Sequence, residues 1–280
     1  MKRIALLAAL SVAACTTARP TVRRAAPATN ATATTTTTVV APDPGAATTP
    51  AELAATLTAI ERALRDDSTT ADRLPALGRA QDLAYRRIRQ MPEWREAVAS
   101  AVGADVRDAV VANLGAAAEL VALTPPRTTL PEWNIRAPLP AADLRSFYAE
   151  GEARFGIPWM YLAAMHLVET RLGRIVGLSS AGAQGPMQFI PSTWAAYGEG
   201  DITSDHDAIL GAARYLRASG GPDDMARALY RYNPSNRYVR AITAYAGVLA
   251  ADERAYRGYY QWPVVVRMST GDVVLEPPAP

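Results

Sequence analysis

Residues 166–189 of this 280-residue chain, HLVETRLGRIVGLSSAGAQGPMQF, concentrate the side chains able to do chemistry. Glu169 closes an almost wholly apolar run, WMYLAAMHLV. Apolar neighbours and the negative end of a helix dipole both disfavour an ionised carboxyl there. A carboxylic acid held neutral near pH 7 can donate a proton to a leaving oxygen. Glu169 by itself also fits a plainer role, capping the helix end or pairing with Arg171 or Arg174. The following SSAGAQGPMQFIPSTW is dense in Gly182, Gly185 and Pro186, which predicts a tight loop whose backbone can approach another group closely. It presents Ser179, Gln184 and Gln188, neutral hydroxyl and amide groups that suit sugar hydroxyls and acetamido groups. Further on, YRYNPSNRY offers Tyr230, Tyr232 and Asn233; tyrosine sets a flat face against a sugar ring and a hydroxyl against a polar substituent.

A two-carboxylate glycosidase separates its acids by about 5–5.5 Å or about 6.5–9.5 Å. After Glu169 the next acid is Glu199, and the group Glu199, Asp201, Asp205 and Asp207 reaches the site only by folding back. His166, three residues before Glu169, is read as packed or hydrogen-bonded nearby. His206 sits among acids in GDITSDHDAI. A calcium loop of EF-hand type ending on Asp205 or Asp207 would have Trp194 or Ala196 as its first ligand, and neither binds calcium. No metal and no cofactor are expected, and Asp205 or Asp207 is predicted to N-cap the helix AILGAARYL.

Taken together and in this order, VETRLGRIVG, SSAGAQGPMQFIPSTW, DAILGAARYL and YRYNPSNRYV resemble the soluble lytic transglycosylase (SLT) family of peptidoglycan-cleaving enzymes, over roughly residues 141–250. The first and last motifs look closest to the membrane-bound lytic transglycosylase B branch, whereas AGAQGPMQ is nearer the general SLT pattern. The resemblance implies a lysozyme-like fold with Glu169 as catalytic acid and base. It also implies binding roles for Ser179 before the loop, Gln188 after it, and the Tyr232-Asn233 pair beside the glutamate. It implies one carboxyl serving twice, first protonating the bond between N-acetylmuramic acid and N-acetylglucosamine, then helping to close a 1,6-anhydro ring. A lysozyme-type hydrolase on the same bond and a non-catalytic peptidoglycan-binding lipoprotein remain alternatives at this point.

These residues must be held by helices. Gly156-Ile157-Pro158 introduces the helix that ends at Glu169, with Met160, Ala164, Leu167 and Val168 on its apolar face. Upstream, Leu53, Leu57, Ile60 and Leu64 share one helical face, as do Leu77, Ala80, Ala84, Ile88 and Met91. Pro92 starts a third segment containing Trp94, Val98, Val102, Val106 and Val110. The predicted fold class is mainly α: a lysozyme-like domain at 141–262 after a small helical region at 51–122. Residues 123–140 read as a proline-rich linker. In the tail, 263–280, β-branched runs flank Thr-Gly-Asp and predict a short hairpin.

The N-terminus reads as an address. Lys2-Arg3 precede the apolar IALLAALSVA, and Val12-Ala13-Ala14 lead into Cys15, the chain's one cysteine. The pattern resembles a bacterial lipobox over residues 1–14 with lipidation at Cys15; an ordinary secretory signal is the other reading. Residues 15–50 read as a disordered tether, rich in Thr, Ala and Pro. An exported chain in the cell envelope is expected either way, anchored by lipid in the first reading and facing peptidoglycan as a monomer. The formal charge of +2 equals the contribution of Lys2 and Arg3, so the remainder is neutral and offers no electrostatic case for nucleic acid.

Overall fold

The computed structural model describes residues 42–278, eleven α-helices and two antiparallel strand pairs. Cys15 and its lipobox lie outside the described residues. The first helix, α1 (Pro50–Arg65), opens with a capping box: Thr49 Oγ1 accepts from Glu52 N–H, and the Glu52 carboxylate accepts from Thr49 N–H. Residues 43–49 were expected to belong to the tether. Instead they pack: Pro44 and Ala47 are buried, and the Arg87 guanidinium donates to the carbonyls of Gly45 and Ala47. Composition signalled disorder here, but an arginine from a later helix satisfies the backbone carbonyls.

Helix α2 (Leu74–Gln90) lies against α1. The segment expected as one helix from Trp94 to Val110 is broken into α3 (Arg95–Ala101) and α4 (Arg107–Leu123). Thr58 Oγ1 on α1 accepts from Gly103 N–H at 3.0 Å, and Arg62 pairs with Asp105 at 2.7 Å, so α1 pins the intervening turn. Val102 and Val106 remain buried across the break, which is why their four-residue spacing concealed it.

Helices α5 (Ala141–Phe155), α6 (Trp159–Thr170), α7 (Pro191–Tyr197), α8 (Asp205–Ala218), α9 (Met225–Tyr232), α10 (Asn236–Ala251) and α11 (Tyr256–Gln261) build the remainder. Nine of the twelve residues of α6 are buried, the pattern of a helix enclosed on all sides. It packs on α5, α8 and α10, while α4 runs along α10. Leu53, Val110 and Leu114 therefore share one core with Leu162, Leu167 and Ile242. Asn113 on α4 stitches the parts together, donating to the Tyr85 hydroxyl at 2.9 Å and accepting from the Tyr259 hydroxyl.

The stretch read as a linker is strapped down. Its β1 (Asn134–Ile135) pairs with β2 (Ile175–Val176), just beyond the Glu169 helix. Arg127 exchanges backbone hydrogen bonds with Arg267 and Ser269 beside the C-terminal hairpin, β3 (Val264–Met268) and β4 (Gly271–Leu275). The hairpin forms where the β-branched runs predicted it. Helix α8 is capped by Ser204, not by Asp205 or Asp207 as expected. An N-cap needs extended dihedrals, which Ser204 has (φ −75°, ψ 129°), and its hydroxyl accepts from Asp207 N–H at 3.3 Å. The two aspartates fall inside the first turn, where the helix dipole favours them.

Candidate active site

Glu169 is the penultimate residue of α6 and is 6% exposed. The Tyr238 hydroxyl on α10 donates to its Oε1 at 2.7 Å. Burial raises the Glu169 pKa to about 7, and the Tyr238 hydrogen bond pulls in the opposite direction. No charged neighbour contributes to that shift. Arg171 and Arg174, the partners of the plainer reading, face elsewhere. The Arg171 guanidinium stacks over Trp262 at 5.4 Å, and Arg174 donates to the carbonyls of Tyr260 and Arg171 at 2.6 and 3.2 Å.

The end of α6 is abrupt. Arg171 and Leu172 both adopt left-handed conformations, φ 54° and 59°, although neither is glycine. Leu172 N–H reaches back to the His166 carbonyl and Arg171 N–H to the Leu167 carbonyl, closing the last turn. Two left-handed non-glycine residues in succession are costly and persist only where the surroundings hold them; Leu172 is held by complete burial. Thr170 then ties the helix end to the glycine loop, its hydroxyl donating to the Pro186 carbonyl at 2.6 Å.

The loop is built from its own polar groups. Ser179 Oγ accepts from the N–H of Ala181 and Ala183 at 3.2 and 2.9 Å, and Gln184 and Phe189 exchange backbone hydrogen bonds at 2.8 Å. Gln188 has φ 51°, is buried, and its side-chain amide donates to the Gly185 carbonyl at 3.0 Å. Ser179 and Gln188 thus spend hydrogen bonds on shaping the loop. Gln184 lines a cavity of about 430 Å³ outside the loop, with Gly177, Leu178, Gly185 and Thr203; Glu169 does not line it.

Tyr232 is fully buried, and its hydroxyl donates to the Met187 carbonyl. Its ring meets Phe189 and Tyr215 edge-on, at 5.8 and 5.5 Å. It braces the loop from beneath, and its ring is covered in this structure. Asn233 is buried at the end of α9, and Tyr230 is 46% exposed on the same helix. The tyrosine that does reach the glutamate, Tyr238, lies in the quoted motif YRYNPSNRYV but was not singled out. Its signal was positional: it is the third residue of a helix begun by Ser235, and only the packing of α10 on α6 aims it at Glu169.

His166 is turned away from Glu169. Its Nδ1 lies 2.8 Å from the Tyr148 hydroxyl on α5, and its Nε2 lies 3.3 Å from Asp205 Oδ1 without hydrogen-bond alignment. Burial lowers its pKa, which favours the neutral ring. The distant acids are engaged elsewhere: Asp205 with Arg136, Asp207 with His206 at 2.9 Å, and Glu199 with Arg214 at 2.7 Å. Among the described residues, no group of three or more His, Cys, Asp or Glu side chains is arranged to hold a metal.

The chain is 35% identical over 81 residues to membrane-bound lytic murein transglycosylase F of Thiobacillus denitrificans. That stretch is similar to part of a lytic transglycosylase. The aligned stretch is 29% of this chain and spans only 17% of that transglycosylase. No family model and no solved structure matches the chain. The transglycosylase in this comparison is named F, so the likeness to the B branch rests on the motifs alone.

Proposed function

We propose that this protein is a lytic transglycosylase that cleaves the MurNAc-β-1,4-GlcNAc bond of peptidoglycan and leaves 1,6-anhydromuramyl ends. The observation that carries the reading is Glu169 itself: a buried carboxyl with a pKa near 7, one hydroxyl donor and no acidic partner. The related transglycosylase stretch supports the same class. Near neutral pH a large share of the carboxyl is protonated, so it donates to the bridging glycosidic oxygen. The muramyl acetamido group assists at the anomeric carbon, which removes the need for a second carboxylate. The Glu169 carboxylate, steadied by the Tyr238 hydroxyl, then accepts the proton of the muramyl 6-hydroxyl as the anhydro ring closes. Ser179, Gln188 and Tyr232 hold the loop that shapes the sugar site, while Gln184 and Tyr230 offer groups on the outer surface.

The chain acts in the cell envelope, held to a membrane by a lipid on Cys15. The lipobox-like sequence supports this placement. Among the described residues no helix is long and apolar enough to cross a membrane.

The deciding experiment is mass spectrometry of muropeptides released from purified sacculi by wild type and Glu169→Gln. Wild type is expected to release 1,6-anhydromuramyl products, and the variant to lose about 10²–10⁴-fold in rate, the usual contribution of a positioned general acid. Equal digestion by both proteins would remove Glu169 from the chemistry, and reducing muramic acid ends would assign the enzyme to hydrolysis.

A further inference from the structure

A second cavity, reached by Arg171 just past the end of α6, is walled by α2, α4, α10 and the C-terminal hairpin. Four guanidinium groups line it, those of Arg86, Arg89, Arg171 and Arg267, against two carboxylates, Asp82 and Asp272. Both carboxylates are already shared. Arg86 pairs with Asp82 at 2.7 Å and approaches Asp272 at 3.7 Å, while Arg89 pairs with Asp272. Among the described residues Arg171 and Arg267 form no ion pair, and Asp272 acts on Arg267 only at longer range. Arg171 stacks on Trp262, and Arg267 donates to the carbonyls of Val121 and Thr124 at the end of α4. Burial and the nearby Arg89 guanidinium lower the pKa of Arg267 by more than the Asp272 carboxylate raises it. A formal surplus of two positive charges in a partly enclosed space calls for an anion.

The remaining wall restricts which anion. Leu120 and Val265 are aliphatic, and the Tyr245 and Trp262 rings complete that side. Inorganic phosphate would satisfy the guanidiniums but leave these surfaces against a hydrated ion. A carboxylate carried on a short aliphatic chain uses both walls, because the arginine fork binds carboxylate in two-pronged fashion and the chain buries apolar area. The cavity volume of about 210 Å³ lies below the roughly 300–1,000 Å³ of sites for drug-sized ligands, so the occupant is compact.

We propose that this arginine-lined cavity binds an aliphatic carboxylate, and specifically the carboxyl terminus of a short peptide with small side chains. The proposal is independent of the chemistry of Glu169. It does place the ligand against Arg171, the residue that terminates the helix carrying that glutamate.

The test is calorimetric titration of the full-length protein with N-acetyl-alanyl-alanine, its C-terminal amide, propionate and inorganic phosphate. The dipeptide acid is expected to bind at one site, at least tenfold more tightly than its amide and more tightly than propionate. Arg171→Gln should weaken the acid at least tenfold and Arg171→Lys less, while Glu169→Gln should bind it as wild type does. The amide comparison needs no variant, so it stands even if Arg171→Gln does not fold. Propionate binding as tightly as the dipeptide acid would replace the peptide by a free aliphatic acid. Equal binding of acid and amide, binding of phosphate alone, or no binding of either carboxylate would overturn the proposal. So would unchanged binding in a folded Arg171→Gln.

Discussion

A carboxyl whose pKa rises from 4.5 to about 7 binds its proton more tightly in the folded protein than in the unfolded chain. Below the unfolded value both states are protonated, and Glu169 brings no ionic penalty. As pH rises toward 7 the unfolded chain ionises first, so stability falls, and above the folded value the whole penalty is present. A shift of this size corresponds to about 3 kcal/mol. Glutamine is neutral throughout and keeps an oxygen for the Tyr238 hydroxyl. Glu169→Gln is therefore expected to gain about 3 kcal/mol relative to wild type between about pH 4 and about pH 8, measured by urea unfolding at the two values. A difference between the two proteins that does not change with pH would show that Glu169 is not held neutral. The environment that makes the ionised residue a burden to the fold also keeps a proton on it near neutral pH, as the proposed chemistry requires.

At the scale of elements, the decisive unit is the loop between β2 and α7, because it sets the wall opposite the helix end. Three attachments hold it: the Thr170 hydroxyl on Pro186, the Tyr232 hydroxyl on Met187, and the Gln188 amide on Gly185. Gly185 has φ 72°, and a Cβ placed there would lie 1.8 Å from the Ile202 carbonyl oxygen. That atom belongs to backbone and has no rotamer by which to retreat. Gly185→Ala combines a left-handed alanine with this overlap, and it is expected to lower stability by about 3 kcal/mol or more, or to displace the loop. Thermal unfolding together with near-ultraviolet circular dichroism would detect either result; a melting temperature and spectrum equal to wild type would refute the close approach.

At the scale of the whole molecule, residues 51–122 share a core with the helices around the site. Helix α4 runs along α10, and α10 supplies Tyr238. Removing α1 to α4 would strip α10 of the helix it runs along, break the Arg237 and Arg240 pairs with Glu119, and leave the Tyr259 hydroxyl without Asn113. A protein comprising residues 124–280 is accordingly expected to lack cooperative unfolding and to bind a hydrophobic dye, as chains with an uncovered core face do. A sharp calorimetric transition for that fragment would show that the second part folds alone.

How much of this was legible in order along the chain depends on the range of the interaction. Apolar spacing of three and four located α1, α2 and α6, and β-branched runs flanking Thr-Gly-Asp located the C-terminal hairpin, because these patterns are local consequences of helix and strand period. The glycine loop was legible for the same reason, since only particular residues tolerate its dihedrals. The apolar run before Glu169 likewise announced its raised pKa. The break between α3 and α4 was not legible, because it comes from Thr58 and Arg62, more than forty residues earlier, acting on a turn whose valines kept helical spacing. Packing alone assigned Tyr238 to Glu169, sent Tyr232 beneath the loop, turned Arg171 toward Trp262 and gathered four arginines around one cavity. Residue type and local period determine which groups are available and which segments coil. Which of those groups meet is decided by long-range burial, where a few ångströms separate a hydroxyl that tunes a carboxyl from one that props up a loop.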